Sequence, residues 1–162
     1  MILGIGNKIP INTSRAGGGG GSSFENLYSM AFDGVDDFIS VAHNTSLDVV
    51  TANHSLSFWM KTSTGNVQVL MEKGRNEELA AFIINNKIYW GGSNGYYGGT
   101  TVVNNGNWYH IVFVVDSTSA TPSERLRMYI NGERELSFSS ETYPSQNADA
   151  NVWTAGTDLR LF

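Results

Sequence analysis

Residues 90–99, Trp90-Gly-Gly-Ser-Asn-Gly-Tyr-Tyr-Gly-Gly99, gather the side chains best suited to holding a sugar. Glycines remove bulk and let the backbone approach a ligand, while Tyr96 and Tyr97 offer flat apolar faces with a polar tip. Sugars stack their C–H faces on such rings, and Trp90 belongs to the same set. Asn94 supplies amide donors and acceptors for hydroxyls. The string suits a hairpin loop equally well, with tyrosines that only cover the end of a folded body. Both readings stay open at this level.

A second cluster, Asp33, Asp36 and Asp37, has the carboxylate chemistry of a Ca²⁺ site, because this hard cation takes clustered oxygens. Position twelve counted from Asp33 is Asn44, where a helix–loop–helix calcium site needs Glu. In the competing reading Asp33 caps a turn, and Asp36 and Asp37 serve backbone N–H groups nearby. No other cofactor is expected. His43, His54 and His110 are too scattered to suggest a ligand set, and no Ser/His/Asp arrangement recommends itself. The pairs Glu77-Glu78 and Glu133-Arg-Glu135 read as a loop pair and the exposed face of a hairpin, so no catalytic residue is expected.

The elements that must position these groups are strands. Leu56-Ser-Phe-Trp-Met60 alternates, with Leu56, Phe58 and Met60 on one face and Ser57 and Trp59 on the other. Val67 to Lys73 and Leu79 to Ile84 are apolar and β-branched, and Asn85-Asn86 turns the chain into Lys87-Ile-Tyr-Trp90. Trp108 to Val115 is apolar at nearly every position, as a strand covered on both faces would be. Trp108, Phe113, Phe58 and Met128 are therefore expected in the core. Arg125 to Ile130 alternates, and Asn131-Gly132 reverses it into Glu133 to Phe138. Near the start, Ser29 to Phe32 and Phe38 to Val41 read as two short strands joined by Asp33-Gly34. No stretch keeps a helical period over two turns. The fold class is all-β.

Composition narrows the function. A chain of 162 residues with 41% hydrophobic content can bury a real core. A net charge of −5, with scattered basic residues, excludes a phosphate-tracking face, so no nucleic-acid partner is expected. There is no cysteine for disulfides or thiolate metal sites, and no apolar run long enough to span a membrane. The first residues lack a basic segment and a small-residue cleavage site, making a poor signal peptide.

Gly17 to Gly21 is an unbroken glycine run followed by Ser22-Ser23, without the Gly-Lys-Ser/Thr of a phosphate loop. It divides the chain into an arm (1–16), a Gly/Ser linker (17–23) and a folded domain (24–162). Ile2, Leu3, Ile5, Ile9 and Ile11 are too apolar for an idle tail. They predict an arm that docks on a partner subunit or adds a strand to a sheet edge.

Taken in order, Ser29-Met-Ala-Phe-Asp-Gly-Val-Asp-Asp-Phe-Ile-Ser-Val41, Leu56-Ser-Phe-Trp-Met-Lys61, Val69-Leu-Met-Glu-Lys-Gly74, Gly106-Asn-Trp-Tyr-His-Ile-Val-Phe113 and Leu126-Arg-Met-Tyr-Ile-Asn-Gly132 resemble the laminin-G-like branch of the concanavalin A-like lectin/glucanase superfamily. The resemblance covers roughly residues 27–162 and implies a two-sheet antiparallel β-sandwich, a jelly roll, with an extended N-terminal arm. Its members usually continue past the place of Leu159-Arg-Leu161 into a closing strand, Gly-x-Ile-Asp-Glu-Val, beside the first one. Here that lane is expected to be trimmed or filled by another segment. Glucanases of the superfamily carry Glu-x-Asp-x-Glu or Glu-x-Asp-x-x-Glu strands, since retaining hydrolysis needs two carboxylates about 5 Å apart, and this sequence has neither string.

A short apolar arm and Gly-rich linker before a lectin-like sandwich are similar to small virion proteins of bacteriophages and other viruses. The expected function is a viral structural subunit of a spike, fibre or decoration. Its arm would hold other virion or capsid subunits, and its sandwich would bind host-surface glycans without catalysis. The expected location is the virion surface, or otherwise the extracellular space. A homo-oligomer is expected, with a trimer by analogy with viral spikes. A non-viral carbohydrate-binding module and a degenerate glycoside hydrolase are the alternatives.

Overall fold

Alternating apolar residues can bury one face of each strand only if two sheets are laid against each other. The computed structural model shows that arrangement, and it describes residues 2–4, 28–47, 53–65, 67–74, 80–92, 95–143, 145–147 and 157–162. The strands are β1 (Ile2–Gly4), β2 (Ser29–Ala31), β3 (Ile39–Val41), β4 (His54–Lys61), β5 (Gln68–Lys73), β6 (Ala80–Ile84) and β7 (Lys87–Gly92). They continue as β8 (Gly95–Val102), β9 (Trp108–Val115), β10 (Leu126–Ile130), β11 (Glu133–Arg134), β12 (Phe138–Thr142) and β13 (Leu159–Leu161). One sheet runs β11-β10-β9-β4-β1-β2 and the other β12-β8-β7-β6-β5-β13-β3, with every pairing antiparallel. The only helical pieces among the described residues are a 3₁₀ turn at Thr45–Leu47 and the single turn α1 (Pro122–Arg125).

The core lies between the sheets. Met60, Ile111, Phe113, Val115, Leu126, Met128 and Ile130 face it from one side, and Leu70, Met71, Ala81, Ile83, Ile88, Trp90 and Tyr97 from the other. Phe58 packs against this cluster with its ring 6.3 Å from that of Phe113. Both asparagine turns form as the sequence indicates. Asn85 and Asn86 take φ of 50° and 68°, and Asn131 and Gly132 take 53° and 88°, which is the left-handed geometry of tight hairpins.

Several expectations change. Ser29–Ala31 and Ile39–Val41 are strands, but they do not pair; β2 belongs to the six-stranded sheet and β3 to the seven-stranded one. Residues 32–38 carry the chain between the sheets, with Phe32 buried and the Asp33 carboxylate folding the corner through the Val35 N–H at 2.7 Å. Trp108 is not a core residue. On β9 the buried positions are Ile111, Phe113 and Val115, so the two-residue period puts Trp108 on the opposite, partly exposed row.

The N-terminal segment holds the largest change. Ile2 and Leu3, expected in an arm that docks on a partner or adds a strand to a sheet edge, do form a strand, β1, but one that pairs with β2 on one side and β4 on the other inside the chain's own sheet. Ile5, Ile9 and Ile11 lie outside the described residues. The lane beside the first sandwich strand, which the resemblance assigns to a strand after Leu161, is filled by β1.

Candidate functional site

The expected sugar platform is taken apart by burial. Trp90 is 1% exposed and Tyr97 2%, so neither ring can offer a face to a ligand. Trp90 stacks on Phe113 across the sandwich at 4.8 Å between ring centroids. Tyr97 is wedged between Phe138 at 3.9 Å and Tyr143 at 5.6 Å, and its hydroxyl meets that of Tyr143 at 3.4 Å. Burial raises the pKa of both tyrosine hydroxyls above the usual range. Asn94 lies outside the described residues, and Tyr96 is placed only through its backbone, opposite Gly91 and Thr142.

The glycines of this string serve packing too. A Cβ on Gly98 would stand 2.1 Å from the Tyr89 ring, which crosses over it and stacks on Phe82 at 5.4 Å. The Tyr89 hydroxyl then reaches Ser139 Oγ at 2.9 Å. What read as room for a ligand is room for a tyrosine.

The aromatic surface lies elsewhere, on the outer face of the six-stranded sheet. There β4 and β9 are the paired central strands, and Trp59 sits directly across from His110. Their rings stack at 4.9 Å and 25°. His110 is held further by a 2.8 Å hydrogen bond between Nε2 and Ser57 Oγ, two residues along the same face of β4. Its backbone N–H donates to Asn131 Oδ1 at 2.9 Å, and the Asn131 N–H donates back to the His110 carbonyl at 2.8 Å. The residue that opens the β10–β11 turn thus also holds the strand carrying His110.

The neighbouring row pairs Lys61 with Trp108, giving a second partly exposed indole beside the first. On the other flank the register places Gly4 of β1 beside Trp59, and exposed Ser29 of β2 beyond it. Glycine has no side chain, so nothing in β1 stands beside the Trp59 ring at that position. The result is a row of Ser29, Gly4, Trp59 and His110 across four strands, with Ser57 and Asn131 as polar groups at its edges. An indole braced by an imidazole is a flat, preorganised apolar face, and hydroxyl and amide groups beside it suit a polyol.

Sequence reasoning missed this site although its signal was present. Trp59 falls on the polar face of an alternating strand, where a large aromatic has no core to fill. Its pairing with His110, 51 positions away, was not readable without the register.

The acidic cluster does assemble: carboxylate oxygens of Asp33, Asp36 and Asp37 lie within 4.8 Å of one another, all exposed. These donors have the hard-oxygen chemistry that suits Ca²⁺. Two of the oxygens also carry the turn. Asp33 Oδ1 accepts from Val35 N at 2.7 Å and from Asp36 N at 3.4 Å, while Asp37 Oδ2 accepts from Asp33 N at 3.0 Å. The Val35 hydrogen bond is the chief reason the Asp33 pKa falls below its ordinary value. Beside the cluster, Val35, Phe38, Val67, Val69 and Phe162 line an apolar cleft of about 430 Å³. Glu135 is engaged internally, with Oε1 accepting from Thr100 Oγ1 at 2.9 Å and Oε2 from Thr101 Oγ1 at 2.6 Å.

Two facing antiparallel sheets with a surface aromatic row define a lectin-like jelly-roll domain. The profile described as the concanavalin A-like lectin/glucanases superfamily matches residues 33–160, and the chain belongs to this family. Solved structures agree on the fold. The binding domain of Paraclostridial Mosquitocidal Protein 1 is 14% identical with a TM-score of 0.53, the match covering 76% of this chain and 36% of that one. Domains LG4-5 of the mouse laminin alpha1 chain are 9% identical with a TM-score of 0.52, covering 76% and 31%. The binding domain of botulinum neurotoxin DC, solved in complex with rat synaptotagmin II, is 13% identical with a TM-score of 0.53, covering 76% and 31%. The chain thus spans about a third of the length of these structures, and the likeness concerns the fold alone. No curated protein matches the chain. Among the described residues no helix is long and apolar enough to cross a membrane.

Proposed function

We propose that this domain is a non-catalytic, glycan-binding subunit displayed on the surface of a virus particle, as part of a spike, fibre or decoration. The observation that carries the binding half is the stacked pair Trp59–His110 on the outer face of the sheet, with Trp108 in the next row. A pyranose ring would lie its C–H face on Trp59 and direct hydroxyls to Ser57 and Asn131. Family membership supports a recognition module, and the hydroxyl partners of Glu135 support a structural rather than a catalytic use of that carboxylate.

The particle half rests on a resemblance: the apolar segment and five-glycine run ahead of a lectin-like sandwich are similar to the layout of small virion proteins of bacteriophages. In this reading residues 1–16 help to join copies to one another and to the particle, and a trimer follows by analogy with spikes. Glycan arrays with wild type, Trp59→Ala and Trp108→Ala test the binding half. Saturable binding lost in Trp59→Ala, with the fold intact, supports it; equal binding by wild type and both variants sinks it. Copurification with virus particles tests the other half independently.

A further inference from the structure

The connection between β1 and β2 is out of proportion to the distance it covers. Gly4 and Ser29 are directly opposed in the antiparallel register, a geometry that a two-residue turn can close. Residues 5–28 are spent on it instead, 24 residues that include Gly17 to Gly21. A connection of 24 residues can reach at most roughly 80 Å. The strand at its end is only three residues long, yet it is the sole partner of β2 among the described residues and separates β2 from β4.

We propose that β1 is an exchangeable strand: Ile2–Gly4 of one copy can fill the lane between β2 and β4 of a second copy, in the same register. Backbone hydrogen bonds and pairing are identical in the closed and exchanged forms, so chain entropy alone separates them. Tethering gives the chain's own strand an effective concentration in the millimolar range. Free copies in dilute solution therefore keep their own strand. Copies crowded to comparable local concentrations trade strands, and each exchange ties two sandwiches together without any new interface. The exchange stands on topology and does not need the glycan reading, although it supplies a physical route to the oligomer proposed above.

The chain contains no cysteine, which makes a cross-linking test clean. Ile2→Cys in one tagged copy and Ala31→Cys in another place thiols at opposed register positions of β1 and β2. The two are mixed and oxidised, beside a control mixture of Ile2→Cys with Val35→Cys, whose residue is 85% exposed but off register. Exchange predicts that 2–31 heterodimers exceed 2–35 heterodimers about tenfold, and that their yield rises roughly tenfold from about 0.1 to about 1 mM protein. Replacing residues 5–28 by Asn-Gly locks the strand at home and should abolish the excess. Equal yields for the two pairs, or an excess untouched by the tight turn, overturns the proposal. So does a doubly substituted single chain, Ile2→Cys with Ala31→Cys, that forms no bridge at all, since β1 then does not occupy the lane. Lost glycan binding or failed particle copurification leaves these yields unchanged, so the proposals fail separately.

Discussion

Trp59 and Trp90 make opposite predictions from the same substitution, and together they test the assignment of the binding face. Trp59→Ala removes a partly exposed indole whose ring contact is with His110 at 4.9 Å. Losing one aromatic pair at a half-solvated position costs about 1 kcal/mol of stability, or roughly 3 °C in Tm for a domain near 150 residues. Truncating a stacking aromatic within a binding site costs about 1–3 kcal/mol of affinity, a 5- to 150-fold rise in Kd. Trp90→Ala removes an indole that is 1% exposed and stacked on Phe113 at 4.8 Å. A cavity of that size costs about 3–5 kcal/mol, roughly 10–15 °C in Tm, with Kd unchanged below the transition. Calorimetry gives the first quantity, and titration of a glycan identified on the array gives the second. Trp59→Ala that melts like Trp90→Ala, or that binds like wild type, would refute this division between surface and core. Trp90→Phe is a finer check. The Trp90 Nε1–H has no acceptor among the described residues, so this change should cost less than half of the alanine substitution.

Four further outcomes follow from the packing, the titrating groups and the acidic cluster. Gly98→Ala should lower stability by about 1–3 kcal/mol in a denaturant titration, because the Tyr89 ring occupies the place of the new methyl; a neutral substitution would mean that the ring is not seated there. Burial raises the folded pKa of Tyr97 and Tyr143, so both contribute stability that is complete below the ordinary tyrosine value near 10 and is lost as pH rises above it. Urea melts between pH 9 and pH 11 should show this fall, and Tyr143→Phe should flatten it. Asp33→Ala should lower Tm while Asp33→Asn, which keeps an oxygen for the Val35 N–H, lowers it less; equal losses would show that the charge matters more than the turn. Added Ca²⁺ that raises the Tm of wild type but not of Asp36→Ala would assign an ion to the acidic cluster.

Local rules carried the sequence far where the physics is local. Strand positions followed from two-residue periodicity, and the Asn85-Asn86 and Asn131-Gly132 hairpins followed from residues that accept positive φ. Membership of a lectin-like family was readable from ordered strand and turn strings, and the Asp33 turn from a carboxylate placed two residues before the N–H it accepts. The side of a strand on which Trp59 falls was also readable. What packs against a side chain was not. Trp90 and Tyr97 look the same in sequence whether a glycan or Phe113 and Phe138 covers them, and only the facing sheet decided that both are core. Pairing partners behave in the same way. Each is set by the register between distant segments, which composition does not encode. The tertiary structure therefore decided that β2 and β3 part to different sheets, that His110 braces Trp59, and that an apolar N-terminal segment completes the sheet of its own chain.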